Sequence, residues 1–397
     1  MAAQAVSRFG DGFFNVGVLW LLFAHTHSVM ALGVLWAAYM FVGGVLQASL
    51  SALVDRLDRR SLAVWLNVAQ GTLVAGVPAL ATQGAFRTWE LYPLFVLVGL
   101  VARPLHAAVG AMLPGLVRPG DRHRANAVLA GITETMAITG PIVGGVVIAR
   151  WGSQAGLAVD AASFLMAAGV LAGLPRMSAS GAHPVVRYRT AMTEGMRRLW
   201  TVGELRLLTA LLVVEEFTDS TYAVLAVPLV VTVLHHRAAS LGLLEGSLSA
   251  GLVLGSVMSR RLSGARCLGG RWFLAGGFSA AYAVLVLVPH LYWMMLLQVA
   301  AGTMLAIVTI ESRLRLQHLV PPDALGSVLM WQEGLSRGGA KTVGSVLVAL
   351  TAVAVSIPGA FVVVGGVGAL LSVPPALALT RLDSPRELMD DDVPTEI

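Results

Sequence analysis

The chain has 397 residues, of which 56% are hydrophobic and only 12% charged, with 43 glycines and a mean hydropathy of +0.77. Those values exclude a soluble globular protein of this length and point to a chain that lives mostly in lipid. The formal charge of +5 could suit nucleic acid, but the basic residues fall in short loops between apolar runs, a pattern of membrane topology that argues against a nucleic-acid partner.

Apolar runs long enough to cross a bilayer, at about 1.5 Å of rise per residue, predict twelve helices. They lie near 2–24, 30–53, 61–81, 91–113, 126–149, 156–174, 205–234, 240–259, 271–288, 291–311, 327–353 and 359–379. The expected fold is an all-α membrane protein with twelve transmembrane helices in two pseudo-symmetric halves of six. Residues 1–174 form the first half, 175–204 a cytoplasmic linker, 205–380 the second half and 381–397 a disordered acidic tail. Within the linker, Thr193–Trp200 is amphipathic and is expected to lie on the membrane surface. Twenty arginines fall in alternate loops, the linker and the tail, whereas the opposite loops hold three, Arg87, Arg150 and Arg237. That asymmetry predicts cytoplasmic termini. A lone cysteine, Cys267, leaves no disulfide within the chain, and no basic run with a small-residue cleavage site opens it, so no signal peptide is expected.

The two halves echo each other. Glu134 is followed by Gly140 and Gly145, and Glu333 by Gly339 and Gly344 at the same offsets; Phe9-x-Asp11 in the first span reads like Phe217-x-Asp219 in the seventh. Small residues recur at every fourth position in four spans: Gly44/Ala48/Ala52, Gly140/Gly144, Gly251/Gly255 and Ser336/Ala340/Gly344. Such spacing allows close helix approach, while Pro141 removes one helical hydrogen bond and permits a bend.

Charges inside spans are costly and mark candidate sites. Asp219 shares part of one helical face with Glu215 and Glu216, and three carboxyls so close cannot all ionise cheaply. No arginine within that span neutralises them. Arg103 needs a partner, with Glu134, Asp11 or the Glu215–Asp219 group as candidates, or an anionic group on the substrate. Arg8 and Asp11 can pair along one helix. Glu333, Arg337 and Lys341 stand at successive i,i+4 steps, which favours an internal Glu333–Arg337 pair; Glu134 has no such neighbour and is the better titrating candidate. Asp160 and Glu245 are placed near the outer ends of their spans, where water reaches them.

Asp55-Arg56-Leu-Asp58-Arg59-Arg60 after the second span, Gly140-Pro141-x-x-Gly144-Gly145 in the fifth, and six plus six spans around a basic linker resemble the major facilitator superfamily. Gly10-Asp11-Gly12, Arg124-Ala-Asn126-Ala and Glu194-Gly195-Met-Arg-Arg-Leu are similar to its macrolide-efflux and enterobactin-exporter branch. The resemblance implies that Asp55, Arg56, Arg59 and Arg60 lock one conformation by engaging neighbouring cytoplasmic helix ends. It also implies that the first, fourth, seventh and tenth spans line a central cavity, and that the second, fifth, eighth and eleventh lie where the halves meet. Ser51 replaces the glycine usual four residues before Asp55, and the residues usual ahead of the first span are missing.

Gly334–Thr342 approximates a phosphate-binding loop, but Ala340 breaks the required Gly-Lys pair. No enzyme signature and no cofactor is expected. The reading is a proton-coupled exporter of cationic or amphipathic small molecules in a bacterial cytoplasmic membrane, acting as a monomer with substrate, protons and lipid as partners. Its proton and substrate candidates are Asp11, Arg103, Glu134, Glu215, Glu216, Asp219, Glu333 and Arg337. A siderophore exporter, an uncoupled lipid or solute transporter, and a non-transporting sensor on the same scaffold are the alternatives.

Overall fold

The computed structural model describes residues 2–54, 58–82, 87–174, 188–262 and 268–390. Every regular element among them is helical: α1 Ala2–Thr26, α2 Val29–Val54, α3 Arg59–Thr82, α4 Leu91–Leu116, α5 Arg122–Trp151, α6 Ser153–Ala172, α7 Tyr188–Thr201, α8 Gly203–Pro228, α9 Ala238–Leu262, α10 Leu274–Leu285, α11 Leu291–Leu319, α12 Pro322–Glu333, α13 Lys341–Ala354 and α14 Ile357–Asp390. α12 and α13 are one helical segment joined by a π-helical stretch, Gly334–Ala340, and α7 lies in the linker, so that joined segment and the other eleven helices fall at the twelve expected spans. Six stretches, in α3, α5, α6, α9, α11 and α14, are long and apolar enough to cross a membrane by length and composition among the described residues. α8 and the α12–α13 span each carry three ionisable groups in their middle. α14 continues as helix to Asp390, past residue 381 where a disordered tail was expected.

The chain divides into two compact units, Met1–Val185 with Val224–Gly246, and Val186–Ala223 with Ser247–Ile397. In the first unit α1 packs between α5 and α6, and α6 also packs along α3. Glycine makes those approaches possible: a Cβ at Gly140 would fall 2.7 Å from the Phe9 carbonyl oxygen, and at Gly144 3.2 Å from the Phe13 Cα. In the second unit α10 packs on α11 and α14, and α7 lies along α12. There a Cβ at Gly344 would meet the Phe217 carbonyl oxygen at 3.1 Å. The same device, a glycine seated on the backbone of the Phe two residues before an aspartate, therefore builds the α1–α5 and α8–α13 seams. The small-residue stripes serve packing inside each unit, with Gly251 and Gly255 of α9 seated on α11. Within the first unit, Gly145 of α5 also meets Gly242 at the start of α9. Gly44, Ala48 and Ala52 lie outside the residues whose side chains are described.

Two departures from α geometry follow charged or proline positions. After Pro228, residues Leu229–Val233 form a π turn, and the Leu234 N–H donates to the Leu229 carbonyl at 3.0 Å. Among the described residues, His27 (φ 49°) and His235 (φ 55°) are the non-glycine positions with left-handed backbone. They follow the first and seventh spans, a further trace of the repeat.

Candidate functional site

In the second unit the intramembrane charges come together. Close approach of α13 to α8, set by Gly344, carries Lys341 onto the acidic face of α8. Its Nζ lies 2.5 Å from Asp219 Oδ2 and 3.2 Å from Glu216 Oε2. Arg337 Nε donates to Glu216 Oε1 at 2.8 Å, and the Tyr282 hydroxyl of α10 donates to Asp219 Oδ1 at 3.1 Å. Tyr282 is held by rings, stacked on Tyr222 with centroids 6.0 Å apart and tilted against Phe278 at 4.9 Å. Glu215, one residue before Glu216, is 1% exposed, and neither of its carboxylate oxygens has a hydrogen-bond partner among the described residues.

This corrects two sequence expectations. Glu216 and Asp219 are not free carboxyls, because two cations reach them from the eleventh span. Glu333 and Arg337, expected to pair within their own span, also turn to other helices: Glu333 meets Arg313 of α11 at 3.4 Å, and Arg337 meets Glu216 of α8 at 2.8 Å. The reason is the π stretch Gly334–Ala340, which interrupts the α register between those residues. An i,i+4 relation no longer stacks two side chains when each turn holds an extra residue. The same stretch lies inside one continuous helix, which is incompatible with a strand–loop–helix phosphate site.

In the first unit Asp11 sits 3.5 Å from Arg8, one turn earlier on α1. Asp160 of α6 faces the same place. It is fully buried, against the expectation that water reaches it, because α6 begins at Ser153 and so puts Asp160 two turns inside the span. A Cβ at Gly10 would fall 2.5 Å from Asp160 Oδ1, so the carboxyl presses on the backbone immediately before Asp11. Glu134 lies exposed on α5. The side chain of Arg103 lies outside what is described, as do Asp55 and Arg56. Of the expected gate, Arg60 donates to the Leu171 carbonyl at 3.3 Å and to that of Ala172, at the C-terminal end of α6, where a cation is favoured. Asp58 caps α3, accepting from the Ser61 N–H at 3.0 Å. Gly140, Pro141 and Gly144 form the seam with α1, where Gly12 rests on Pro141.

Two residues outside the sequence-based site enter it here, Lys341 and Asp160. Lys341 was flagged only as one step of an i,i+4 series, although it is the chain's single lysine and stands inside a span. Asp160 has no neighbouring charge on α6 to draw attention to it. Around the unit-two cluster, Arg271 pairs with Glu311 at 3.2 Å and Arg315 with Glu204. These pairs join helix ends rather than the cluster itself.

A family described as the Major Facilitator Superfamily matches residues 1–332. A multidrug efflux pump, Tap, of Mycobacterium tuberculosis and of Mycobacterium bovis is 29% identical over 216 residues, which is 52% of this chain and 51% of the pump. The chain thus spans about half the length of the curated relatives it matches. Among solved structures, a bacterial homolog of the human lysosomal transporter Spinster superposes with TM-score 0.72 at 12% identity, covering 99% of this chain and 97% of that one. The nucleoside transporter NupG gives 0.69 at 11%, covering 94% and 97%. The peptide transporter POT gives 0.70 at 13%, covering 97% and 94%. At such identities these likenesses concern the fold.

Proposed function

The chain belongs to the major facilitator superfamily of membrane transporters, and from that premise we propose that it is a proton-coupled exporter of cationic or amphipathic small molecules. It works by alternating access in a bacterial cytoplasmic membrane, with both termini inside. The observation that carries the coupling is the charge count at α8. Three carboxyls, Glu215, Glu216 and Asp219, meet two cations, Arg337 and Lys341, and the carboxyl left over, Glu215, is buried without a partner. In a low dielectric such a group is tolerable as the neutral acid or with a cation against it. Proton and cationic substrate then exclude each other, which is what exchange of one for the other requires.

The paired acids have a second use. Protonating Asp219 or Glu216 would loosen Lys341 and let α13 shift on α8, so the ion pairs tie the proton to a helix contact. One charge crossing 100 mV is worth about 2.3 kcal/mol, enough for a more than tenfold concentration ratio. Likeness to a multidrug efflux pump over half the chain supports drug-like substrates, and the arginine asymmetry supports the orientation. The test is efflux of ethidium from proteoliposomes of the purified chain, with and without a pH gradient. A gradient should speed efflux several-fold. Equal rates would remove the coupling, and no ethidium movement would remove the substrate class.

A further inference from the structure

We propose that the π stretch Gly334–Ala340 is a sliding register. Its extra residue moves about one turn toward Gly344 once Glu216 and Asp219 no longer hold Arg337 and Lys341, and the move carries both cations round and off α8. Its part in transport rests on the exporter reading above; the helix shift does not.

The segment that carries the stretch is pinned on both sides, within the second unit. Upstream, a Cβ at Gly195 of α7 would fall 2.8 Å from the Ser327 carbonyl carbon of α12. The Trp331 indole donates to the Met192 carbonyl at 2.8 Å, the Gln332 amide donates to the Thr209 hydroxyl at 3.4 Å, and Glu333 meets Arg313. Downstream, Gly344 is seated on Phe217, and Val348 and Ala349 are buried. Between these pins the Lys341 N–H donates to the Ser336 carbonyl, five residues back. An α-helix would reach four, so the chain holds one residue more than a straight α path between the pins requires.

The pins fix that an extra residue is present, not where it sits. Two overlapping windows suit it, 334–340 and 338–344, and each holds three glycines. Packing does not demand those at Gly334 and Gly339: a Cβ at Gly334 would meet nothing within 4 Å, and one at Gly339 only the Gly334 carbonyl oxygen, at an ordinary 3.6 Å. Their use is in the backbone, where glycine weakens the competing α wind. Side-chain hydroxyls mark both windows, Ser336 donating to the Gln332 carbonyl at 2.8 Å and Thr342 to the Gly338 carbonyl, and such bonds bend helices.

The ion pairs choose between the windows. With the extra residue at 334–340, Arg337 reaches Glu216 and Lys341 reaches Asp219. With it at 338–344, Arg337 returns to the register of α12, turned by one residue or about 100°, and Lys341 turns roughly half as far. Arg337 then stands one α turn beyond Glu333, a spacing at which the two can pair, while Gly344 keeps its seat. The cluster is open to a ligand, since the Arg337 side chain is 51% exposed. A cationic substrate at these acids thus displaces the two native cations and moves the helix in the same act.

The experiment reads the turn directly in the full chain, in liposomes, with Cys267→Ser as background. Nitroxides are placed at Gly339→Cys and Leu371→Cys, and in a second protein at Leu347→Cys and Leu371→Cys. Adding Glu216→Gln with Asp219→Asn should change the first distance by roughly 5–8 Å, the displacement of a side chain on a turning helix, and leave the second as it was. An unchanged first distance overturns the proposal, and equal changes in both overturn it too, because the whole of α13 would then have moved. Deleting Gly334 supplies the functional reading. That variant has no extra residue, so its α-helix keeps Arg337 and Lys341 on α8, and it should melt like the wild type yet lose ethidium efflux. Wild-type efflux by a folded deletion variant overturns the role in the cycle. Should the wild type itself move no ethidium, the exporter reading fails while the spin-label distances still judge the register.

Discussion

Replacing Lys341 by methionine tests the ion-pair cluster most sharply. The ammonium is 13% exposed and touches two carboxylates, at 2.5 Å and 3.2 Å. Removing one partner of a buried pair costs about 3–5 kcal/mol, because the remaining charge is stranded. Glu216 keeps Arg337, and Asp219 keeps the Tyr282 hydroxyl; both acids also see some water, at 18% and 20% exposed. The lower end, about 3 kcal/mol, therefore applies. For a unit of this size that is a fall in Tm of roughly 6–12 °C, measurable by tryptophan fluorescence in detergent. Adding Asp219→Asn should return much of the loss, since the stranded charge goes with it, giving a coupling of about 1–3 kcal/mol in the double-mutant cycle. Strictly additive losses would show that Lys341 and Asp219 do not interact and would refute the cluster.

Gly344→Ala should destabilise by about 1–3 kcal/mol, because its Cβ would meet the Phe217 carbonyl oxygen at 3.1 Å, whereas Gly131→Ala, with open space around it, should be silent in the same melt. Equal effects would deny the seam. Arg198 and Arg197 hold the Glu194 carboxyl of α7 below the usual glutamate range; a lowered folded value means the contact is intact above that range and fades as pH falls through it. Hydrogen exchange of α7, corrected for intrinsic rates, should thus show protection kept at neutral pH and lost only once the pH falls below the usual glutamate range; loss already near neutral pH would contradict it. A membrane-impermeant maleimide should label Cys267 only after cells are permeabilised, and labelling of intact cells would reverse the orientation.

The helices were legible because crossing lipid demands long apolar runs, and the repeat was legible because its glycines and acids recur at fixed offsets. Individual partners were less so. That Arg337 turns to Glu216 depends on the π stretch Gly334–Ala340, and nothing in that glycine-rich run distinguishes an i→i+5 turn from an ordinary one. Lys341 reaches Asp219 across two helices whose rotation is set by Gly344 on Phe217, a tertiary fact absent from local spacing. Asp160 was misplaced for a simpler reason: a start at 156 instead of Ser153 moves an acid from the buried middle to the wet end. Helix ends are the least certain part of any such reading, and in membranes a few residues change a side chain's solvent. Arg60, for which the family resemblance implied contact with a neighbouring helix end, lies at the last carbonyls of α6, where a cation is favoured.

The central claim is that the unmatched carboxyl of α8, Glu215, holds the proton that a cationic substrate displaces. Binding ethidium to the purified chain in weakly buffered detergent, with a pH indicator present, reads that exchange directly. The account predicts proton release by the wild type and one proton fewer per bound ethidium from Glu215→Gln. Equal release by the two proteins would contradict it.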